Sequence, residues 1–138
     1  MLKKTSLILT LVTTLYTQTV VANDLDGAWH LRVMDGMEVR KARAILDFNM
    51  KKMKLSGFDA CNRIGGKLIK NTEHNMTTPQ LMSTKMACRG KIFNWVSKRL
   101  HETLKEGFDI KEEKKYGIEG ITLKSHSHEL FFKKMQRD

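Results

Sequence analysis

Two stretches of the chain decide the fold: LSGFDACNRIGG at residues 55–66 and QLMSTKMAC at residues 80–88. Each stretch contains one of the two cysteines. The first stretch continues the alternation of apolar and polar residues that is typical of a half-buried strand, and its glycines indicate tight backbone geometry. We therefore expect Asn62 and Arg63 to fix a bend in the chain, with ligand binding as the alternative.

Short segments with β character lie on both sides of these stretches and are separated by turn residues. Asp35-Gly36 follows the first segment and is a typical pair for a tight hairpin turn. This pattern predicts a mostly antiparallel sheet. The predicted strands are residues 28–33, 44–48, 52–58, 67–69, 120–123 and 130–132.

One segment departs from the period of two. From Lys91 to Glu106, apolar residues recur every four positions, which predicts an amphipathic helix of about four turns. Gly107 follows at the position where a helix stop is expected. We expect this helix to pack on the sheet, and a detachable membrane-binding helix is the alternative. Closing a sheet of about seven strands into a barrel would remove its edges.

The first 22 residues have the pattern of a secretory signal peptide. A short basic start precedes an apolar stretch, and small residues at the end allow cleavage after Ala22. Threonines interrupt the apolar stretch, which falls short of the roughly 18–20 apolar residues that a membrane-spanning helix needs. We therefore expect residues 1–22 to be removed and residues 23–138 to form one exported domain, periplasmic or secreted, that does not span the membrane.

The two central stretches resemble the META domain family, which includes the HslJ-type heat-shock proteins of bacterial envelopes. That family shows a glycine, a Cys-Asn pair and another glycine, followed by a Thr-x-Met-x-Cys segment and a helix. Residues 25–31 also match its opening Leu-x-Gly-x-Trp-x-Leu, and the resemblance covers nearly all of residues 25–135. The matching motif positions are Gly27, Trp29, Gly57, Cys61, Asn62, Arg63, Gly66, Thr84, Met86 and Cys88.

The resemblance implies a mainly β fold of the α+β type. Specifically, it implies a conical antiparallel β-barrel of about seven to eight strands with one substantial late helix. This architecture is similar to that of the pilotin lipoproteins of type III secretion, whose barrel holds a lipid tail. No catalytic residues are attached to the family, so the motif positions are interpreted as structural.

Cys61 and Cys88 are the complete set of cysteines in a chain that we expect to be exported. An even number of cysteines in that setting favours a disulfide, which would close a loop of about 28 residues and stabilise the domain by about 3–4 kcal/mol. Two buried free thiols are the alternative. A nucleophilic Cys61 would need a nearby base, and neither cysteine has a histidine within ten residues.

The charge balance is strongly basic. The 138 residues contain 25 Lys and Arg against 15 Asp and Glu, a net charge of +10. Removal of residues 1–22 deletes two lysines and no acidic residue, which leaves 23 against 15, or +8. We expect a solvated basic face, with weak attraction to anionic lipid headgroups or lipopolysaccharide as the functional alternative. Export and the mixing of lysines with acidic residues argue against nucleic acid as a partner.

The remaining candidate sites carry weaker signals. His126-x-His128 on a strand would direct two imidazoles to one side, as in a metal site, but a polar hairpin tip is the simpler interpretation. His30, His74 and His101 have no partner in the pattern. We expect the methionines and tryptophans in the core, although Met can also line an apolar pocket. The sequence thus predicts no catalytic residue, metal or cofactor.

Two functions remain for a chain of this kind. The first is a non-enzymatic, monomeric binding module in the envelope or heat-stress response, whose partner is an envelope protein or lipid. The second is a pilotin-like carrier or chaperone, which would hold an acyl chain or an apolar partner segment inside the barrel. A filled barrel favours the first, and a cavity lined by Met, Leu and Phe favours the second. Inhibition of an acidic secreted hydrolase is a third, weaker alternative.

Overall fold

The computed structural model describes residues 25–136. The predicted signal peptide, residues 1–22, and the cleavage site after Ala22 lie outside the described residues. Within the described range, no helix is long and apolar enough to cross a membrane. The same residues form an antiparallel sheet of eleven strands, an α-helix and a short 3-10 helix.

Most strands follow one another through tight turns. The α-helix, α1, spans Lys91–Glu106, and the 3-10 helix spans Arg40–Ala42. The strands are β1 (Gly27–Met34), β2 (Met37–Glu38), β3 (Ile45–Asn49), β4 (Lys54–Phe58), β5 (Arg63–Lys67), β6 (Ile69–Lys70), β7 (Asn75–Thr77), β8 (Met82–Ser83), β9 (Phe108–Lys115), β10 (Ile118–Lys124) and β11 (Glu129–Lys134).

The sheet curls into a half-barrel. Its hydrogen-bonded order is β6-β7-β9-β10-β11-β1-β3-β4-β5-β8, and β2 pairs with β1. Only Leu68 separates β5 from β6 along the chain. One bent segment therefore pairs with β4 through its first half and with β7 through its second half. The buried Leu68 at this bend connects the two sides of the curled sheet.

The mainly β architecture with one late helix agrees with the prediction, whereas the number of strands is higher than expected. Much of the excess comes from β2, β6, β7 and β8, whose two or three residues are too few to show a period of two. The long strand β9 is also absent from the predicted set. Its Phe108 and Ile110 are buried, but the charged residues between and after them give the segment the composition of exposed surface.

The inside of the half-barrel is filled by side chains. Within residues 25–136, a small cavity of about 60 Å³ lies beside Leu25, Met50 and Met76. That volume suits a few water molecules and is well below the roughly 300–1,000 Å³ of typical ligand pockets. Six strands and α1 supply the largest completely buried side chains, which are Phe48, Phe108, Phe132, Leu31, Met34, Leu46, Leu55, Leu100, Leu104, Ile121, Leu123 and Leu130.

The helix occupies the predicted residues and buries most of its apolar stripe, although Ile92 at its start is exposed. Val96, Leu100 and Leu104 are completely buried. At the end of α1, the Gly107 amide donates a hydrogen bond to the Thr103 carbonyl oxygen (3.2 Å). Gly107 has a φ of +102°, a conformation that favours glycine, so the chain leaves the helix there and continues into β9.

Candidate functional site

The two motif stretches meet at the loop between β4 and β5, where Asp59 is completely buried. Its Oδ1 accepts hydrogen bonds from the backbone amides of Cys61 (2.8 Å) and Asn62 (2.6 Å). Ala60, which lies between Asp59 and Cys61, has a φ of +84°, which is uncommon for a residue with a side chain. The Asp59 carboxylate therefore stabilises an irregular, tight turn.

The second carboxylate oxygen of Asp59 connects this turn to α1. Oδ2 accepts a hydrogen bond from the Ser97 hydroxyl (3.0 Å) and contacts Nε2 of His101 (2.5 Å). Burial opposes ionisation, but the hydrogen bonds from His101, the two amides and Ser97 outweigh it and lower the pKa of Asp59. His101, which has no partner in the sequence pattern, thus has one in the folded chain.

Asn62 fastens the second motif stretch to the first. Its Oδ1 accepts hydrogen bonds from the Met86 amide (2.5 Å) and the Thr84 hydroxyl (3.4 Å). The Arg63 amide donates to the Thr84 hydroxyl oxygen (3.0 Å), and the Thr84 amide donates to the Arg63 carbonyl oxygen (3.0 Å). Asn62 therefore fixes a bend, and Arg63 contributes through its backbone while its side chain is exposed.

A disulfide bond also joins the two stretches. It links Cys61, which is buried, to Cys88, with the Cα atoms 4.8 Å apart. No free cysteine remains in residues 25–136. The structure therefore contains the predicted disulfide and not the two free thiols of the alternative interpretation.

A surface groove of about 470 Å³ lies beside the disulfide, and we call it the disulfide groove. Its lining includes three cationic side chains, those of Lys41, Arg43 and Arg89. Met86, a motif residue, is 62% exposed and lines the groove. The rest of the lining is apolar: Ala42, Phe58, Ala60, Cys61, Ala87 and Phe93.

Comparison with known protein families identifies the family of the chain. The META domain matches residues 22–137. The chain belongs to the META domain family. The match confirms the resemblance that the two cysteine-containing stretches indicate. A search of curated proteins, by contrast, finds none that matches the chain.

Two solved structures share the fold of this META domain. One NMR structure is 26% identical with a TM-score of 0.67, and the match covers 83% of this chain and 94% of the other. An NMR structure of a protein from Burkholderia xenovorans is 18% identical with a TM-score of 0.64, and the match covers 98% of this chain and 100% of the other. These similarities support the half-barrel architecture.

The other motif residues of this META domain lie in the sheet. A Cβ atom on Gly57 would lie 2.0 Å from the Ile45 carbonyl oxygen, so only glycine allows β4 to approach β3 this closely. Gly66 lies on β5 and Gly27 begins β1. Trp29 is buried, and its indole nitrogen donates a hydrogen bond to the Leu25 carbonyl oxygen. These motif residues therefore have structural positions in the sheet and its core.

A polar cluster that the sequence pattern does not reveal surrounds His128. Its Nδ1 lies 2.7 Å from Oδ2 of Asp35, and its Nε2 lies 2.6 Å from Oε2 of Glu102. Arg99 also contacts Asp35 (2.5 Å) and lies over the ring of Trp95. Burial favours the neutral imidazole, but the hydrogen bonds to Glu102 and Asp35 outweigh it and raise the pKa of His128.

The histidine pair at 126 and 128 is not arranged as a metal pair. His126 is exposed in a bend between β10 and β11. His128 is buried, and both of its ring nitrogens contact carboxylates, those of Asp35 and Glu102. Within residues 25–136, no group of three or more metal-ligating side chains comes together. Residues 125–128 form the turn of the β10–β11 hairpin, as the hairpin-tip interpretation predicts.

The prediction that the methionines belong to the core is only partly correct. Met34 and Met76 are buried, but Met82 and Met86 are 74% and 62% exposed. Met37 and Met135 are also exposed. Met82 and Met86 lie in the second motif stretch, where β8 is only two residues long and no further strand precedes α1. Sequence alone does not separate these methionines from the buried ones, because burial here depends on which segments pair.

Proposed function

We propose that this META domain is an exported, non-enzymatic binding module of the bacterial envelope, where it serves envelope maintenance or the response to heat stress. The observation that supports this proposal most directly is the filled half-barrel, whose interior is occupied by completely buried side chains from six strands and α1. A carrier that encloses an acyl chain needs an interior cavity, so binding belongs to the surface.

The disulfide groove is the surface that suits binding best. Its volume of about 470 Å³ falls in the range of ligand sites. An exposed methionine offers an adaptable apolar contact, and cations in the same lining attract negative charge. We assign to it an apolar peptide segment with acidic residues, presented by an envelope protein.

Two further features support the exported, non-enzymatic role. The Cys61–Cys88 disulfide is the kind of bond that persists in oxidising compartments such as the periplasm. The most acid–base-like pair in the structure, Asp59 with His101, is engaged in holding a turn to α1, and Asp59 is shielded from solvent. A structural role accounts for this pair without a reaction.

Native mass spectrometry of protein purified from the periplasm tests the export and carrier questions together. We expect the mass of residues 23–138, a gain of about two protons on reduction of the disulfide, and no bound lipid. An added mass that survives gentle ionisation and disappears on denaturation would favour the pilotin-like carrier instead. Retention of residues 1–22 would contradict export.

Peptide binding tests the groove itself. The probe is a fluorescein-labelled peptide in which leucines alternate with glutamates, measured by fluorescence anisotropy at physiological ionic strength. Met86→Ser should weaken binding by about tenfold, since it removes an apolar contact. Arg89→Gln should weaken it by roughly threefold, since it removes one exposed charge pair. The matched controls are Met37→Ser and Lys105→Gln, which change exposed residues outside the groove.

The proposal fails if these controls weaken binding as much as the groove variants do. That result would mean that the peptide is held by the net charge of the protein and not by the groove. A second peptide, with lysines in place of the glutamates, tests the charge preference. Its binding to the wild-type protein should be at least as weak as the binding of the leucine–glutamate peptide to Met86→Ser.

A further inference from the structure

A second basic cluster lies on the outer face of β1 and is centred on His30 and Arg32. The register between β1 and β11 shifts between Leu31 and Val33, so Arg32 is an additional residue in a β-bulge. Bulges of this kind redirect side chains and are frequent beside functional sites. His30 precedes the bulge on the same strand and is paired with Lys133 of β11.

Two nitrogen atoms of this cluster are buried without a hydrogen-bond partner. They are Nδ1 of His30 and Nε of Arg32, and within residues 25–136 no acceptor reaches either atom. Buried polar atoms are nearly always satisfied in native proteins, so two unsatisfied atoms on neighbouring side chains call for an explanation. An oxyanion in the adjacent space would supply acceptors for both.

The charges around these atoms are mainly of one sign. Burial lowers the pKa of His30, and the positive charges of Arg32, Arg40 and Arg43 lower it further, while Glu38 opposes them. Burial and Arg40 likewise lower the pKa of Arg32. A cluster that disfavours its own charged forms gains stability when an anion neutralises it.

The cluster opens onto a groove of about 350 Å³, distinct from the disulfide groove. The groove combines the β1 side chains with Arg40 of the 3-10 helix and with the chain that follows β11. Its lining includes His30, Arg32, Arg40, Lys133, Met135 and Gln136.

We propose that this groove is a binding site for a phosphate group, either free or in a lipid headgroup, held by His30, Arg32, Arg40 and Lys133. Guanidinium groups bind phosphate oxygens through paired N–H donors, and a lysine adds a compact positive charge. The site explains the unsatisfied nitrogen atoms, which become donors to the anion. It does not depend on the function proposed for the disulfide groove.

Thermal unfolding with and without inorganic phosphate is the first test, with sodium chloride at equal ionic strength as the reference. Phosphate should raise the melting temperature of the wild-type protein, because a ligand of the folded state stabilises it. Arg32→Gln and Arg40→Gln should each weaken phosphate binding by about tenfold or more, measured by titration calorimetry. Without phosphate, neither substitution should lower the melting temperature, because each removes one of the positive charges that repel one another in the cluster.

Arg89→Gln provides the control with the same change of charge. Arg89 lines the disulfide groove, so this variant should bind phosphate within about twofold of the wild type. Conversely, Arg40→Gln should leave binding of the leucine–glutamate peptide unchanged. Equal phosphate affinity in Arg40→Gln and Arg89→Gln, or an equal rise in melting temperature with chloride, would overturn the site. Failure of the peptide experiment alone would leave it standing.

The pH dependence tests the role of His30, with sulfate as the probe because its charge is constant near neutral pH. Burial and the neighbouring positive charges lower the pKa of His30 in the free protein, and the anion favours its protonated imidazole. Binding should therefore tighten as the pH falls below about 6.5 toward the lowered pKa of His30, and His30→Gln should remove this dependence. The charged groups around His30 are Arg32 on the same strand, Glu38, Arg40 and Arg43 from neighbouring segments, and Lys133 and Lys134 of β11, which line the same groove. All of these groups are common to the wild type and His30→Gln, so the difference between the two proteins reports His30 itself. An unchanged dependence in His30→Gln would overturn the assignment of His30.

Vesicle sedimentation separates the two sources of phosphate. Vesicles of phosphatidylcholine with phosphatidylglycerol present phosphodiesters at a surface, and vesicles of phosphatidylcholine alone carry no net charge. Stronger binding to the first vesicles that is lost in Arg40→Gln and retained in Arg89→Gln assigns the site to a lipid headgroup. If vesicles bind both variants equally while free phosphate still discriminates between them, the site is assigned to a soluble phosphate.

Discussion

Asp59 shows how one buried carboxylate holds an irregular part of this fold. Its two oxygens receive the Cys61 and Asn62 amides, the Ser97 hydroxyl and the His101 imidazole. A buried charge is costly unless it is fully paired, and here the pairing is supplied by both the loop and α1. The residue therefore fixes the turn and positions the helix against it at the same time.

Asp59→Ala should lower the free energy of unfolding by about 3–5 kcal/mol, because it leaves a buried network without its acceptor. Urea denaturation followed by circular dichroism measures the change. The control is Asp47→Ala on β3, which lies between the buried Leu46 and Phe48 and so faces outward. It should cost less than about 1 kcal/mol. Equal losses in the two variants would contradict the anchoring role of Asp59.

At the scale of elements, the His128 cluster joins two hairpins to α1. Asp35 lies in the turn between β1 and β2, His128 lies just before β11, and Glu102 lies on α1. Burial opposes ionisation of Asp35, but the Glu129 amide, His128 and Arg99 lower its pKa. The hydrogen bond with His128 lowers the pKa of Glu102. Both carboxylates therefore stay ionised wherever His128 titrates.

The sign of the pH dependence follows from these shifts. Because the pKa of His128 is raised above its ordinary 6.5, its contribution to stability is complete below that pH and is lost as the pH rises through the raised value. The contributions of Asp35 and Glu102 are present above their ordinary pKa values and are lost only as the pH falls through the lowered ones.

His128→Gln should therefore destabilise the protein by about 2 kcal/mol near pH 6 and by clearly less near pH 9. The measurement is the free energy of unfolding in urea, compared with the wild type at both pH values. His126→Gln is the matched control, since His126 is exposed two residues away. A cost of His128→Gln that does not change with pH would show that the imidazole is not charged in the folded state.

At the scale of the whole molecule, the disulfide joins segments of the curled sheet that hydrogen bonds also hold together. The bond spans a sequence separation of 27 and joins the β4–β5 loop to the segment before α1. Asn62 in the same loop accepts a hydrogen bond from the Met86 amide in that segment, and Asp59 accepts one from Ser97 on α1. We therefore expect the bond to act mainly by restricting the unfolded chain.

The double variant Cys61→Ala/Cys88→Ala should keep the fold while losing about 3–4 kcal/mol of stability. The near-ultraviolet circular dichroism spectrum reports whether the packing around Trp29 and Trp95 is retained, and urea denaturation gives the free energy. Reduction of the wild-type protein should give a loss of similar size. A loss of the near-ultraviolet signal in the double variant under native conditions would mean that the disulfide is needed to build the fold.

Much of the secondary structure could be predicted from local patterns of residues. The spacing of four between residues 91 and 106 predicts α1, and alternation predicts β4. Residue types of β character and flanking turn residues predict β1 and β3 close to their observed bounds. These patterns can be recognised because the residues on the buried face of one helix or strand recur at a fixed spacing along the chain. The cysteine pair was also readable, since residue type and expected compartment together favour a bond.

The sequence by itself determined the family, the helix, the main strands and the basic charge. Only the tertiary structure decided that β9 pairs with β7 and β10, that His101 meets Asp59, and that His128 lies between two carboxylates. The two binding surfaces also arise at that level. Their side chains come from segments far apart in the chain, and such contacts depend on strand order and curl, which no local pattern of residues encodes.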